Sequence, residues 1–209
     1  NLTALELDAR AHWVRADLRA GLPFLTGSLA LFFDPARRAA GRRVFSVKDY
    51  QPPLEILSDW LRHFPALGVK LSPGVDHREI QQYRAELEFI SLRGELKEAV
   101  LWFGPLQTAH RRATLLPGGH TLFRSSDQIA QASLPLAEPG GYLYEPDPAV
   151  LRAGLVAALG EQIQAAQMDP DIAYLTSDHR VMLEQSREVM EGLGLMMRVL
   201  GVTRAAFRG

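Results

Sequence analysis

Cysteine is absent from this sequence of 209 residues. That absence excludes disulfide bonds, thiolate zinc sites and a cysteine nucleophile, and it agrees with the cytoplasmic location that we expect. No apolar run reaches the length of about 18 residues that a membrane-spanning helix needs, and no signal-peptide pattern opens the chain, so we expect no membrane partner. Neither charge sign dominates: the net charge of −1 excludes a globally basic nucleic-acid binder but permits a local basic patch.

The common sequence signatures of metal and phosphate sites are missing as well. The chain has no H-E-x-x-H zinc motif, no G-x-x-x-x-G-K-[ST] phosphate loop and no G-x-S-x-G nucleophile elbow. Its histidines are scattered without the spacing of metal ligands. We therefore expect no metal ion.

What the chain does contain is an ordinary globular composition, 47% hydrophobic and 22% charged. The short apolar run 29–33 is typical of a strand that is buried on both faces. A helical pattern over 52–64 and a second strand over 67–74 follow it, and residues 11–18 alternate like a strand that ends at Asp17. Strand, helix and strand at this spacing predict a crossover unit with parallel strands, and hence an α/β fold.

Hairpin signals dominate the middle of the sequence. Residues 85–104 alternate on both sides of Arg93-Gly94, and a second pair of strands flanks the glycines at 118–119. Glycine suits the positive φ of a tight turn, so antiparallel hairpins are predicted beside the parallel strands. The predicted fold class is therefore α/β, with an antiparallel hairpin beside a parallel sheet.

The composition shifts at 133–141, where we predict a domain boundary. Beyond it the patterns predict a helix over 148–160, a strand in IAYLTSD (172–178) and a longer helix at 181–200. The predicted domains are residues 1–135 and a small α+β unit, 136–209.

Polar residues follow successive predicted strands. They are Asp17, then Asp34 and Pro35, then Lys70. Ligands of open parallel sheets bind outside the carboxyl ends of the strands, and a shared crevice would explain all of these positions together. The alternative for each aspartate is that it caps the following helix or turn.

A basic segment stands directly behind Asp34. It comprises Arg37, Arg38, Arg42 and Arg43. Guanidinium groups fixed at a strand end can bind phosphate oxygens in pairs, although most charged runs are simply solvated loops. Asp76 and His77 follow the next strand end and are further candidates for substrate contact, with helix capping as the alternative. Arg152 is a separate candidate for contact with a base or phosphate.

Several segments, taken in order, resemble one bacterial family. The segments are LFFDPARRAAGRRVFSVKDYQPPL, GVKLSPGVDH, GELKEAVLWFGPL, RRATLLP, YLYEPDPAVLRAGLV and IAYLTSD. They are similar to class I S-adenosylmethionine-dependent methyltransferases that carry a THUMP-like domain at the C-terminus, a group distantly similar to the trimethylguanosine synthase-like enzymes that methylate guanine-N2 of RNA caps. The resemblance covers essentially the whole chain.

The resemblance implies a methyltransferase that uses S-adenosylmethionine and acts on RNA. It also implies the fold: the C-terminal part of a Rossmann-like methyltransferase sheet, with parallel strands and an antiparallel hairpin, followed by a small α+β THUMP-like domain. It places Asp17 near the adenine of the cofactor, and it places Asp34 and Pro35 where related enzymes hold an acceptor amine in line with the methyl group. The basic residues would contact the substrate: Arg37, Arg38, Arg42, Arg43 and Lys70, together with Asp76 and His77. Ala36 and Arg37 depart from the family pattern, which has a second proline and a stacking aromatic there.

The glycine-rich cofactor loop of that family has no counterpart in this sequence, which also begins without methionine. We therefore expect a fragment: the C-terminal portion of a methyltransferase domain followed by a THUMP-like domain, inactive alone but part of an enzyme. The alternatives are a nucleic-acid-binding module without catalysis and a partner-binding domain with a decayed active site.

Overall fold

The computed structural model describes residues 11, 14–22, 29–39, 42–43, 46–131 and 133–178. The helix predicted at 181–200 lies outside these residues. The strands are β1 (Leu31–Phe33), β2 (Arg38–Ala39), β3 (Arg42–Arg43), β4 (Leu67–Leu71), β5 (Glu86–Leu92), β6 (Glu95–Phe103), β7 (Arg111–Leu116), β8 (His120–Arg124), β9 (Tyr142–Tyr144), β10 (Ala166–Asp169) and β11 (Ile172–Ser177). The helices are α1 (Leu57–Trp60), α2 (His77–Ile80), α3 (Ser126–Gln131), α4 (Pro148–Ala153) and α5 (Val156–Ile163).

A mixed sheet of six strands, in the order β1-β4-β6-β5-β7-β8, organises most of the described chain. β1 pairs with β4 in parallel, with Phe33 opposite Val69, which confirms the predicted crossover. The expectation that β1 is buried on both faces is wrong: Phe33 is buried, but Phe32 is 56% exposed. The reason is that β1 forms the edge of the sheet.

Between β1 and β4 the chain forms the short β2–β3 hairpin and then the helical segment. The helix predicted over 52–64 is shorter than expected, with a 3₁₀ turn at Leu54–Ile56 that leads into α1. Leu54 and Leu57 are buried, and the ring of Phe33 meets that of Trp60 edge to face at 4.8 Å between centroids. These contacts anchor the helical segment on β1 although the helix is short.

The strand predicted over 11–18 is wrong. Residues 14–17 have no regular structure, and a 3₁₀ helix, Leu18–Ala20, follows them. The side chain of Asp17 caps this helix by accepting a hydrogen bond from the backbone N–H of Arg19 at 3.0 Å. The capping alternative therefore explains the local role of Asp17.

Both predicted hairpins are confirmed. β5 and β6 pair in an antiparallel ladder across the two-residue turn Arg93-Gly94, and β7 and β8 pair in the same way. β6 lies between β4 and β5 and runs antiparallel to both, while β7 lies parallel to β5. The carboxyl ends of β1, β4 and β5 therefore meet at one edge of the sheet.

The C-terminal described segment forms a second sheet, in the order β10-β11-β9, with α4 and α5. The helix predicted over 148–160 is divided at Gly154, whose φ of 70° lies in the left-handed region. α4 packs against β5 and β7 of the large sheet, and both parts of the chain contribute to one buried cluster. The boundary at 135/136 stays a prediction. No helix among the described residues is both long and apolar enough to cross a bilayer.

Candidate functional site

Asp34 and Lys70 form an ion pair where β1 ends. The parallel register sets Phe33 opposite Val69, so the next residues, Asp34 and Lys70, are neighbours on one face of the sheet. The Lys70 Nζ lies 2.9 Å from Asp34 Oδ2 and 3.6 Å from Glu98 Oε2. Half of the Asp34 side chain is exposed, at 50%, so the lysine orients a carboxylate that a ligand can still reach.

The segment that follows Asp34 is fixed on two sides. Pro35 is buried, and Ala36 forms an antiparallel bridge with Gln51, with N···O distances of 3.1 and 3.0 Å. The Arg37 guanidinium donates from Nη1 to the backbone oxygen of Leu71, the last residue of β4, at 3.3 Å. Arg37 therefore lies at the carboxyl end of β4, the neighbour of β1, and its contact with a substrate stays a prediction.

An open cleft of about 760 Å³ borders this segment. Its wall consists of residues 16–19 and 48–53. Gln51, which bridges to Ala36, lines the cleft, and so does Tyr50, whose hydroxyl accepts a hydrogen bond from the Ser72 backbone N–H at 3.1 Å. These contacts place the cleft beside the carboxyl ends of β1 and β4.

Asp17 is a wall residue of the same cleft. Both of its oxygens are engaged by Arg19, with Nε at 2.9 Å from Oδ1 and Nη2 at 2.7 Å from Oδ2. The side-chain hydrogen bonds from Arg19, followed by the backbone hydrogen bond, lower the pKa of Asp17 to about 2. The structure thus brings Asp17 to the site, although not at a strand end as predicted.

The remaining arginines of the basic segment form the β2–β3 hairpin. Its backbone register sets Arg38 opposite Arg43 and Ala39 opposite Arg42. The side chains of these arginines lie outside what the structure describes, so their contact with a substrate stays a prediction.

Asp76 and His77 have local partners. Asp76 caps α2 by accepting from the Arg78 backbone N–H at 2.9 Å, and its ion pair with the Arg78 side chain lowers the pKa of Asp76. The half-buried His77 ring stacks on Phe89, with 5.6 Å between centroids. Burial, and then the positive charges of Arg152 and Arg111, lower the pKa of His77. The capping alternative is confirmed for Asp76.

Three residues of this region were not predicted from the sequence as site residues: Tyr50, Gln51 and Glu98. Each reaches the site through a distant pairing, such as Tyr50 with Ser72 across 22 positions. The sequence KDYQPP at 48–53 combines polar and aromatic residues with two prolines. This composition is the sequence feature that could have indicated Tyr50 and Gln51 as site residues. Among the described residues, no group of three or more histidine, aspartate or glutamate side chains could hold a metal ion.

No protein-family model matches the chain. Proteins from two strains of Mycobacterium tuberculosis, described as uncharacterized S-adenosylmethionine-dependent methyltransferases, are each 37% identical to it over 204 residues, which is 96% of this chain and 54% of theirs. The chain therefore spans about half the length of these relatives. A crystal structure of a candidate methyltransferase from Porphyromonas gingivalis matches with a TM-score of 0.58 and 23% identity, over 71% of this chain and 39% of that one; this likeness concerns the fold alone.

Proposed function

We propose, from the premise that these relatives support membership of the S-adenosylmethionine-dependent methyltransferase family, that the chain is part of an enzyme that methylates RNA. The observation that carries the proposal is the position of Asp34 and Pro35. They follow a parallel strand directly and adjoin the cleft through the Ala36–Gln51 bridge. Crevices at this edge of a parallel sheet are the usual ligand sites of such folds.

The cleft fits the cofactor in size and in lining. Its volume of about 760 Å³ falls in the range of roughly 300–1,000 Å³ that is typical of small-molecule sites. Its wall combines apolar Leu18, Pro52 and Pro53 with charged residues, Asp17 among them. S-adenosylmethionine supplies a methyl group that its sulfonium already activates. Asp17 in the wall of the cleft and Asp34 beside the cleft are the carboxylates that would hold the cofactor.

The longer protein would provide the other cofactor contacts. The relatives are nearly twice as long as the matched region, and the family's glycine-rich loop has no counterpart in this sequence. In the proposal this chain therefore corresponds to the C-terminal portion of the methyltransferase domain with a THUMP-like domain after it.

Positioning is the task of Asp34 and Pro35 in this proposal. The Asp34 carboxylate accepts a hydrogen bond from the acceptor amine and so directs the nitrogen lone pair at the methyl group. Lys70, whose Nζ lies 2.9 Å from Asp34 Oδ2, holds that carboxylate in place. The proton leaves the amine only after methylation makes it acidic, so orientation accounts for most of the rate increase.

Arg37 supports RNA as the acceptor. One Nη1 bond to Leu71 anchors the guanidinium, and the other donors of its planar fork remain suited to phosphate oxygens. The β2–β3 hairpin adds three further arginines to the same connection. Such phosphate contacts position a nucleic acid without reading its sequence.

The cofactor is tested by calorimetric titration of S-adenosylhomocysteine into this chain and into a protein that carries it at the relatives' full length. We expect binding by the longer protein only. Binding by neither would contradict the methyltransferase assignment, and binding by the short chain would contradict the assignment of the missing contacts to the longer protein.

Catalysis is tested in the longer protein by transfer of labelled methyl groups to total RNA. We expect Asp34→Asn to lower the rate by about 100-fold or more, since misplacement of the acceptor has effects of this size. Asp59→Asn is the matched control, because Asp59 is an exposed carboxylate paired with Arg62 at 3.4 Å. Equal rates for both variants would contradict the role of Asp34.

RNA contact is tested by the salt dependence of binding to a single-stranded oligonucleotide. Each lost phosphate contact reduces the slope of log affinity against log salt by about 0.7. We expect this reduction for Arg37→Ala but not for Arg62→Ala, since Arg62 is exposed on the turn after α1. An unchanged slope in Arg37→Ala would contradict the proposed contact.

A further inference from the structure

The loop between β4 and α2 borders the candidate site and is held from two directions. On the cleft side, the Tyr50 hydroxyl accepts the Ser72 backbone N–H at 3.1 Å. Within the loop, the Val75 N–H donates to Ser72 O at 3.1 Å. The opposite side of the loop faces a residue from the C-terminal part of the chain.

That residue is Arg152 of α4. Its Nε donates to the backbone oxygen of Pro73 at 3.2 Å, and its Nη2 donates to that of Val75 at 2.8 Å. The planar guanidinium thus bridges two carbonyl groups of one loop, a geometry that a lysine ammonium cannot reproduce. The two contacts join residues 79 and 77 positions apart in the sequence.

Two further features fix Arg152 itself. Its guanidinium carbon lies 5.2 Å from the centre of the Phe89 ring, on which His77 also stacks. α4 starts at Pro148 with Asp147 as its cap, whose carboxylate accepts from the Ala149 N–H at 2.7 Å. Ala149, Val150 and Ala153 are buried, so the helix that carries Arg152 is anchored on the large sheet.

We infer that Arg152 is a positioning residue of the candidate site: through the carbonyl groups of Pro73 and Val75 it holds the loop after β4 in place beside Asp34 and the cleft. The inference rests on the proposed function, because it assigns to the C-terminal part of the chain a task in methyl transfer besides any contact with RNA. It does not require Arg152 to touch the substrate.

The test compares variants of the full chain by hydrogen–deuterium exchange. In Arg152→Ala we expect the amides of Gly74 and Val75 to exchange about tenfold faster or more, because two charge-assisted hydrogen bonds to the loop are lost. Arg152→Lys retains the charge without the fork, so an intermediate increase is expected. Arg124→Ala is the matched control. Arg124 also joins the large sheet to the C-terminal segment, through an ion pair with Glu161 of α5 at 3.4 Å. In the described part of the chain it makes no contact with the loop.

The functional arm uses the longer protein with total RNA. We expect Arg152→Ala to lower the methyl-transfer rate by about tenfold, as displacement of a positioned group does, and to leave the S-adenosylhomocysteine affinity unchanged; Arg124→Ala should change neither.

Equal exchange of the loop in Arg152→Ala and wild type, or equal acceleration in Arg124→Ala, would overturn the inference. Faster loop exchange in Arg152→Ala, combined with no methyl transfer by the wild-type longer protein, would instead overturn the proposed function and leave the positioning role of Arg152 intact. If Arg152→Ala does not fold, the same criteria apply to Arg152→Lys.

Discussion

Gly68 shows how closely single residues are packed in the large sheet. A Cβ atom at this position would lie 2.6 Å from Trp102 Cζ3 and 2.8 Å from Phe32 Cδ2. Trp102 cannot move freely, because its Nε1 donates to Glu88 Oε2 at 2.7 Å. We expect Gly68→Ala to lower the free energy of unfolding by about 1–3 kcal/mol, as overpacking does, measured by urea denaturation.

Gly141→Ala is the control for this effect. The nearest atom to a Cβ there, Asp178 O, lies at an ordinary 3.5 Å. A change below about 0.5 kcal/mol, the usual size at unstrained surface positions, is therefore expected. The same small change in Gly68→Ala would show that the two aromatic rings adjust without cost.

His77 makes stability depend on pH. Its pKa is lowered from the ordinary 6.5 by burial and by the charges of Arg152 and Arg111, so below that pH the unfolded chain binds more protons than the folded one. The contribution of His77 to the free energy of unfolding is therefore fully present above about pH 6.5, and it decreases as the pH falls towards the lowered folded-state pKa. We expect His77→Gln to reduce this slope between pH 7.5 and 5.5 in denaturant unfolding; identical slopes would contradict the assignment.

At the scale of elements, the turn between β5 and β6 combines two residues of positive φ, Arg93 at 55° and Gly94 at 79°. This is the type I′ geometry, which favours asparagine followed by glycine. We expect Arg93→Asn to stabilise the protein by a few tenths of a kcal/mol and Gly94→Ala to destabilise it by about 1–2 kcal/mol. Thermal unfolding measures both, and effects of the same sign would be inconsistent with this turn.

Elements with local signals were the ones that the sequence predicted. The hairpin turn at Arg93-Gly94 acts within a few residues, and it is confirmed. β10, with the sequence AQMD, alternates over only four residues and contains no β-branched or aromatic side chain. Its own strand signal is therefore weak, and its pairing with β11 defines it. The division of the predicted helix at Gly154 also depends on packing, because one glycine is compatible with a continuous helix.

Only part of the candidate site was predictable from the sequence, because several of its contacts join residues that are far apart in the chain. Asp34 was identified from its place after an apolar run, and the structure places it there. Its partner Lys70, at 2.9 Å, follows from the register of two strands 36 positions apart. Arg152 and Tyr50 reach the loop after β4 across 77 and 22 positions, contacts that no sequence period encodes.

At the scale of the whole molecule, the packing of α4 on the large sheet makes the predicted boundary at 135/136 testable. Buried residues of α4, such as Ala149 and Val150, belong to the same cluster as Phe89 and Ala113 of the large sheet. A polypeptide of residues 1–135 would expose that surface to water. We expect it to bind a hydrophobic dye and to lose the sharp calorimetric transition of the full chain; a sharp transition at an unchanged temperature would contradict this.

The position of β6 has a consequence for the order of folding. β5 and β6 are joined by two residues, yet they lie at the centre of the sheet, with β4 and β7 added on either side. Closure of so short a loop has the smallest entropy cost of any pairing in the sheet. We therefore expect the folding nucleus at the β5–β6 hairpin, with the other strands added outwards to both edges of the sheet. Substitutions such as Ala99→Gly should then slow folding, with φ-values of about 0.5–1, whereas Leu31→Ala in the edge strand should mainly accelerate unfolding. The edge that carries Asp34 would accordingly be the last part of the sheet to acquire its native form.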